Sequence, residues 1–376
     1  MSTIIVEMLF AVIYLSVTLI LHLVSLYALA ELRSRDPPYL SKREAHTLVP
    51  AKRLLRIFVI LVALLTLRAP YLVRYDIPQS ALRVVCFFWA CKLLDLCEMR
   101  ADHPPTRLVA VTGEGGKECP KYVPAPISSR RDKLLYAWRL FTEMRYHSFD
   151  IAVPQSHRPS PSLPVNLEDN IKSYGPLLLV PILVYLFPIA ETKAAFLLLI
   201  IQFGLECVHK FLHWHCPHPV FFQPFAATSI SEFWATHWQG CASAWLRSLA
   251  YKPVMKLTAP LFGPSVGRAA AVIATFALSG LWHAWAVACV ADDSWSWTLG
   301  FQVWAWFVSQ GVGCLLEQWM CEAKHGGVVH WGAAWSYSLL GIGIAVRTFE
   351  RHSKGGWYQH WVDELTTRAQ SIVFGI

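Results

Sequence analysis

The sequence predicts an all-α polytopic membrane protein with about eight transmembrane helices, a re-entrant or interfacial segment and an internal tunnel. Three observations lead there. Of 376 residues, 55% are hydrophobic and only 15% charged. Mean hydropathy is +0.39, outside the range of soluble globular chains. The apolar residues also gather into runs of the length a helix needs to cross hydrocarbon, roughly 20 residues. These runs are 4–30, 57–75, 173–189, 193–213, 265–290, 296–320 and 331–346, with 80–97 a more interrupted eighth.

The first run is preceded by no basic stretch, since "MSTIIVEMLF" offers Glu7 instead, and it is expected to be a retained helix rather than a cleaved signal. Arg33, Arg35, Lys42, Arg43, Lys52, Arg53 and Arg56 then make 31–56 a basic loop, which the positive-inside rule places in the cytosol. The N-terminus is therefore expected in the lumen, and the endoplasmic reticulum is the expected membrane. The longest non-membrane piece, 99–172, carries Arg107, Lys117, Lys121, Arg130, Arg131, Lys133, Arg139 and Arg145 and falls on the same cytosolic side. Within it "RRDKLLYAWRLFTEMRYHSFD" interleaves Leu134, Leu135, Trp138, Leu140, Phe141 and Met144 with bases, the pattern of an interfacial helix. The closing segment 355–376, with Trp357, Trp361, Leu365 and Ile372, reads the same way.

These loops explain most of the net charge of +8. Nothing resembles a nucleic-acid module, so no nucleic-acid partner is expected, and the bases point to anionic lipid head groups or a phosphorylated substrate. The ten cysteines are scattered, with Cys86, Cys91, Cys207, Cys241, Cys289 and Cys314 inside apolar stretches, and read as small buried hydrophobes. No internal repeat and no separate soluble core is visible, so 1–376 is read as one integral-membrane domain.

Between 214 and 258 the chain is too polar for a simple span and too aromatic for a loop. Irregular backbone at membrane depth is tolerated where protein buries it or water lines it, which makes this segment a candidate cavity wall. Read as one helix, "EFWATHWQGCASAWLR" places Trp234, Trp238, Cys241 and Trp245 within about 60° of one another. Gln239, Ser243 and Arg247 form a polar stripe opposite. Arg247 suits an anionic partner, and Gln239 could donate a hydrogen bond to a carbonyl or oxyanion. Just upstream, "ECVHKFLHWHCPHP" holds His209, His213, His215 and His218. His209 and His213 share a helix face, as in one box of a membrane di-iron hydroxylase or desaturase, but His237, His283, His325, His330, His352 and His360 are isolated, and one box cannot hold two irons.

"ALSGLWHAW" places His283 near the end of the span 265–290. A helical side chain leans over the residues three and four positions back, here Gly280 and Ser279, the two smallest side chains nearby. This arrangement leaves room for a substrate atom beside the imidazole, with Trp282 and Trp285 as aromatic walls. Histidine inside a membrane helix is a functional candidate and is matched to proton transfer near neutral pH; the alternative is a core histidine satisfied by a neighbouring helix.

Taken together, "FWATHWQGCASAWLR" and the later histidine of "SGLWH" resemble the membrane-bound O-acyltransferase superfamily, in particular its wax-synthase-like branch, which includes fungal enzymes acetylating terpenoid natural products. The resemblance is specific over about 230–290. It implies a catalytic histidine at His283 and an upstream motif at Phe233, Trp234, Trp238, Trp245 and Arg247. Where the family carries Asn or His, this chain has Gln239, with His237 two residues earlier, and both stay candidates for the second catalytic role. "TEMRYHSFDIA" is a loose match to the branch's Arg-Gly stretch.

The resemblance further implies acyl transfer to the hydroxyl of a lipophilic acceptor such as a terpenoid or meroterpenoid of secondary metabolism. Acyl-CoA would be the co-substrate, with acetyl-CoA favoured, and no permanent cofactor or metal. A long-chain wax-ester or sterol acyltransferase is the nearest alternative. A multi-span transporter, with His283 and Arg247 lining a route, is the alternative of another class.

Overall fold

The computed structural model describes residues 2–35, 42–73, 76–111, 121–146, 148–151, 179, 182–183, 185–187, 189–212, 220–221, 227–238, 240–320 and 328–352. Helices dominate: α1 Ser2–Arg35, α2 Lys42–Arg68, α3 Asp76–Leu94, α4 Arg130–Thr142, α5 Ala190–Leu212, α6 Lys252–Phe262, α7 Pro264–Val287, α8 Asp293–Met320 and α9 Val328–His352. Among the described residues three stretches are long and apolar enough to cross a membrane: Leu9–Ser34, Pro264–Val290 and Asp293–Trp319. The expected runs at 57–75, 80–97, 193–213 and 331–346 fall mainly on α2, α3, α5 and α9. The run 173–189 lies mostly, and the segment 355–376 wholly, outside the described residues.

Two expectations about loops are corrected. The basic stretch 31–56 is mostly helical, because α1 continues to Arg35 and α2 already begins at Lys42. Lys, Arg, Leu and Ala are strong helix formers, and the bases on α2 find carboxylates in the next segment, Arg56 pairing with Asp102 at 2.9 Å and with Glu98 at 3.9 Å. The stretch 99–172 is structured in part as well: β1 Leu108–Val111 pairs antiparallel with β2 Lys121–Pro124, and α4 follows. Val and Tyr in these strands favour the pleated conformation.

Helix α4 divides the expected apolar residues, burying Leu140 and exposing Leu134 and Trp138. Tyr136, Ala137 and Leu140 are buried in one cluster with Leu26 and Leu29 of α1, Val59 and Val62 of α2, and Leu93 of α3, whereas Leu134 and Trp138 are exposed. Its start is a capping box: the Ser129 hydroxyl accepts from the Asp132 N–H at 3.1 Å, and the Asp132 carboxylate accepts from the Ser129 N–H at 3.0 Å.

Hydrogen bonds from the Ser129 hydroxyl, and then from its backbone, hold the Asp132 carboxyl below the usual Asp range. A depressed folded-state value contributes stability above the ordinary Asp range that is lost as pH falls through the folded value. Amide protection in the first turn of α4 should therefore drop at acid pH before that of Ala137. Ser129→Ala, which keeps the backbone N–H donor but loses the hydroxyl, should weaken this pH dependence in hydrogen exchange.

A second cluster joins Phe88 and Cys91 of α3 to Val220, Phe221, Trp238, Cys241, Trp245 and Trp282. A third gathers Cys289, Val290, Leu299, Val303, Phe307 and Ala345 where α7, α8 and α9 meet. Cys86, Cys91, Cys241 and Cys289 are buried thiols, but Cys207 is exposed and Cys314 only partly covered, contrary to the uniform burial expected of them.

In the α7–α8 hairpin glycines let the two helices approach closely. A Cβ on Gly280 would stand 2.9 Å from the Phe307 Cβ and 3.0 Å from the Trp304 carbonyl oxygen. One on Gly311 would stand 2.9 Å from the Phe276 ring.

Candidate active site

The site is assembled by the chain between Ser229 and Tyr251, which is not one helix. Glu317 of α8 accepts hydrogen bonds from the N–H groups of Ile230, at 2.7 Å, and Ser231, at 2.8 Å, fixing the start of a single α-turn, Ile230–Glu232. A π-turn follows over Phe233–His237, closed by the Trp238 N–H on the Phe233 carbonyl at 2.7 Å. Trp238 is extended, with φ −98° and ψ 140°. After Gly240 the chain resumes as Ser243–Leu246 and a second π-turn, Arg247–Tyr251. Insertions of this π type recur at functional sites.

This break replaces the single helix expected for 232–247, although Trp238, Cys241 and Trp245 still share one buried cluster against which Trp234 packs. Trp234 packs on Phe276 of α7 at 5.5 Å and on Phe307 of α8 at 5.6 Å. Trp238 packs on Phe221 at 4.7 Å. Trp245 is fully buried with Phe87, Phe88 and Trp282. The expected polar stripe is described at Ser243 and Arg247. Ser243 donates to the Gly240 carbonyl at 2.8 Å, closing its own turn, Arg247 is exposed, and Gln239 lies outside the described residues.

His283 is partly buried near the C-terminal end of α7. Its Nδ1 lies 2.8 Å from the Ser279 carbonyl oxygen. A carbonyl only accepts, so Nδ1 carries the proton and the Nε2 lone pair is free. Among the described residues Nε2 has no partner. The Phe307 ring stacks on the imidazole at 4.3 Å and 29°, holding its plane.

The small residues beside His283 act differently from the expectation. Gly280 opens no space for a substrate, since α8 fills that space. Ser279 contributes its backbone carbonyl. Trp282 lies 4.8 Å from the imidazole but is a buried anchor, its indole N–H donating to the Val84 carbonyl at 2.9 Å. Trp285 turns toward α3, donating to the Tyr71 hydroxyl at 3.1 Å while Arg83 donates to its carbonyl at 2.8 Å.

His237 is buried with its Nε2 3.3 Å from a carboxylate oxygen of Glu232, and that carboxylate also accepts from the Thr228 N–H at 2.8 Å. Phe307 joins the two halves of the site by touching both Trp234 and His283. Of the earlier histidine group, His209 is buried on α5, while His213, His215 and His218 lie outside the described residues. Among the described residues no cluster of three or more His, Cys, Asp or Glu side chains could hold a metal ion.

Three residues were missed by sequence reasoning. Glu317 and Gln310 are polar side chains seven residues apart inside the apolar run 296–320, and that spacing on one helix face was the available signal. Arg145 is a third: it is buried, and a Cβ on Gly240 would stand 2.4 Å from its guanidinium carbon. The loosely matching stretch "TEMRYHSFDIA" thus reaches the turn that follows Trp238.

Residues 216–309 match the membrane bound O-acyl transferase family. That range holds the broken motif, α6, α7 and the first part of α8. Among curated relatives, the chain is 37% identical over 99 residues to probable long-chain-alcohol O-fatty-acyltransferase 2 of Arabidopsis thaliana, covering 26% of this chain and 28% of the relative. It is 40% identical over 65 residues to probable long-chain-alcohol O-fatty-acyltransferase 1 of the same plant, covering 17% and 19%. It is 35% identical over 65 residues to acyl-CoA–sterol O-acyltransferase 1, also of that plant, covering 17% and 19%. The matched stretches thus span less than a third of these relatives. No solved structure matches the chain.

Proposed function

We propose that the chain is an integral-membrane O-acyltransferase that moves an acyl group from acyl-CoA to the hydroxyl of a lipophilic alcohol, with His283 as general base. The observation that carries this reading is the hydrogen bond from His283 Nδ1 to the Ser279 carbonyl, which leaves Nε2 free to take a proton. The family match over 216–309 supports it. The acceptor O–H gives its proton to Nε2 as its oxygen bonds to the thioester carbonyl carbon, and the carbonyl pair moves onto oxygen. Collapse breaks the C–S bond, and the sulfur leaves with the proton from Nε2 as the CoA thiol. Gln239 or His237 donates to the oxyanion, and the Glu232 carboxylate orients His237.

The basic segments around α2 and α4 fit donor approach from the cytosolic side, with the N-terminus lumenal and the endoplasmic reticulum as the membrane. Arg247, exposed at the second π-turn, suits a contact with the anionic donor at the same mouth. Cavity lining remains the reading for 214–258, with Trp234 and Phe307 as its aromatic surface.

Two acyl chemistries follow from the motif and from the matched relatives. Acetyl transfer to a terpenoid alcohol follows from the motif resemblance. Fatty-acyl transfer to a long-chain alcohol or sterol is favoured by a specific observation, the naming of the matched relatives for those acceptors. Membranes holding the protein, given labelled acetyl-CoA or palmitoyl-CoA and hexadecanol, a sterol or a terpenoid alcohol, should form one class of ester. Release of free acid with no ester in any arm would reject acyl transfer to alcohols.

A further inference from the structure

Gln310 sits on α8 one turn beyond Phe307, the residue that stacks on His283, and is fully buried. Its Oε1 accepts from the Trp234 indole N–H at 3.4 Å and from the Ser338 hydroxyl at 3.0 Å. An indole N–H can only donate, so the carboxamide orientation is fixed with oxygen toward Trp234. The Nε2 end, which carries two N–H donors, has no partner among the described residues.

Buried polar groups are nearly always hydrogen-bonded, and a donor held by two partners at its other end cannot turn away to find one. Trp234, which orients Gln310, also touches Phe307, so Gln310 and His283 border the same aromatic surface. Residue 310 lies just past the stretch that matches the family.

We propose that Gln310 is a catalytic donor, its Nε2 N–H holding the acyl carbonyl oxygen of the bound thioester as that oxygen gains charge. This rests on the acyltransferase reading above. Gln310 acts alongside Gln239 or His237, and preorganised donors of this kind act mainly on the transition state. No bond to Gln310 forms or breaks. The proton moves from the alcohol to His283 Nε2 and then to the departing CoA sulfur.

The test compares wild type with Gln310→Met, Gln310→Glu and Ser338→Ala, using the acyl-CoA and alcohol that wild type esterifies best. Gln310→Met, which keeps the bulk and loses the donor, should lower kcat about 100-fold while KM for the acyl-CoA and the thermal midpoint stay close to wild type. Gln310→Glu should add a pH limb absent from wild type, with kcat falling as the new carboxyl ionises and loses its O–H donor. Ser338→Ala, which removes one of the two partners that hold Oε1 but leaves Nε2 in place, should lower kcat by less than Gln310→Met does.

Wild-type kcat in Gln310→Met overturns the proposal, as does an equal loss in Ser338→Ala. Should Gln310→Met fail to accumulate, Gln310→Glu decides, and a pH profile parallel to wild type overturns the proposal. A wild-type protein that forms no ester removes the acyltransferase reading and this proposal together. An active wild type with an inactive His283→Ala and an unimpaired Gln310→Met removes this proposal alone.

Discussion

His283→Asn should leave a folded protein that transfers acyl groups at a small fraction of the wild-type rate. The Asn carboxamide N–H can still donate toward the Ser279 carbonyl, which His283 Nδ1 reaches at 2.8 Å, so the local helix geometry has a reason to survive. What is lost is the Nε2 lone pair. Removing a positioned general base typically costs about 10² to 10⁴ in rate, and His283→Ala should match or exceed that loss because Phe307 then also loses the ring it stacks on. The measurement is label transferred from acyl-CoA to alcohol at saturating donor, beside a thermal scan in detergent. Turnover within tenfold of wild type in a folded His283→Asn protein would remove the base from the mechanism.

The second large effect is structural. Gly280→Val forces a branched side chain into a gap where even a Cβ meets the Phe307 Cβ at 2.9 Å and the Trp304 carbonyl oxygen at 3.0 Å. One of these neighbours is backbone and cannot rotate aside, so α8 must shift. Overpacking a tight core costs about 1 to 3 kcal/mol, and displacement of Phe307 also tilts the imidazole it holds. A lower thermal midpoint together with a lower kcat is expected. Gly204→Ala, on α5 where a Cβ meets nothing within 4 Å, should leave the midpoint unchanged or raise it slightly through helix propensity. If both variants melt alike, close approach at Gly280 is not what holds the hairpin.

Hydropathy made the spans legible, because a run of apolar residues near 20 long has few alternatives to a helix. Thus α1, α7 and α8 fall where 4–30, 265–290 and 296–320 were expected. The basic stretch 31–56 was misread because charge reports the side of the membrane, not the conformation, and Lys and Arg extend a helix as readily as they line a loop. His283 stood out as an ionisable group in a span. The motif's internal geometry did not, since a helical wheel assumes 100° per residue and a π-turn at Phe233–His237 breaks that count. Gly280 was read as an opening because a missing side chain looks the same whether a substrate or another helix occupies the space. Gln310 went unnoticed for want of its partners: Trp234 and Ser338 lie 76 and 28 residues away in the chain.

The glycine contacts between α7 and α8 have a mechanical consequence. Helices touching through Gly280 and Gly311 have no slack to slide or splay, so His283 and Gln310 travel as one body. Under the proposed acyltransferase reading, entry of the alcohol is expected beside Trp238 and its flanking turns, away from the α7–α8 contact.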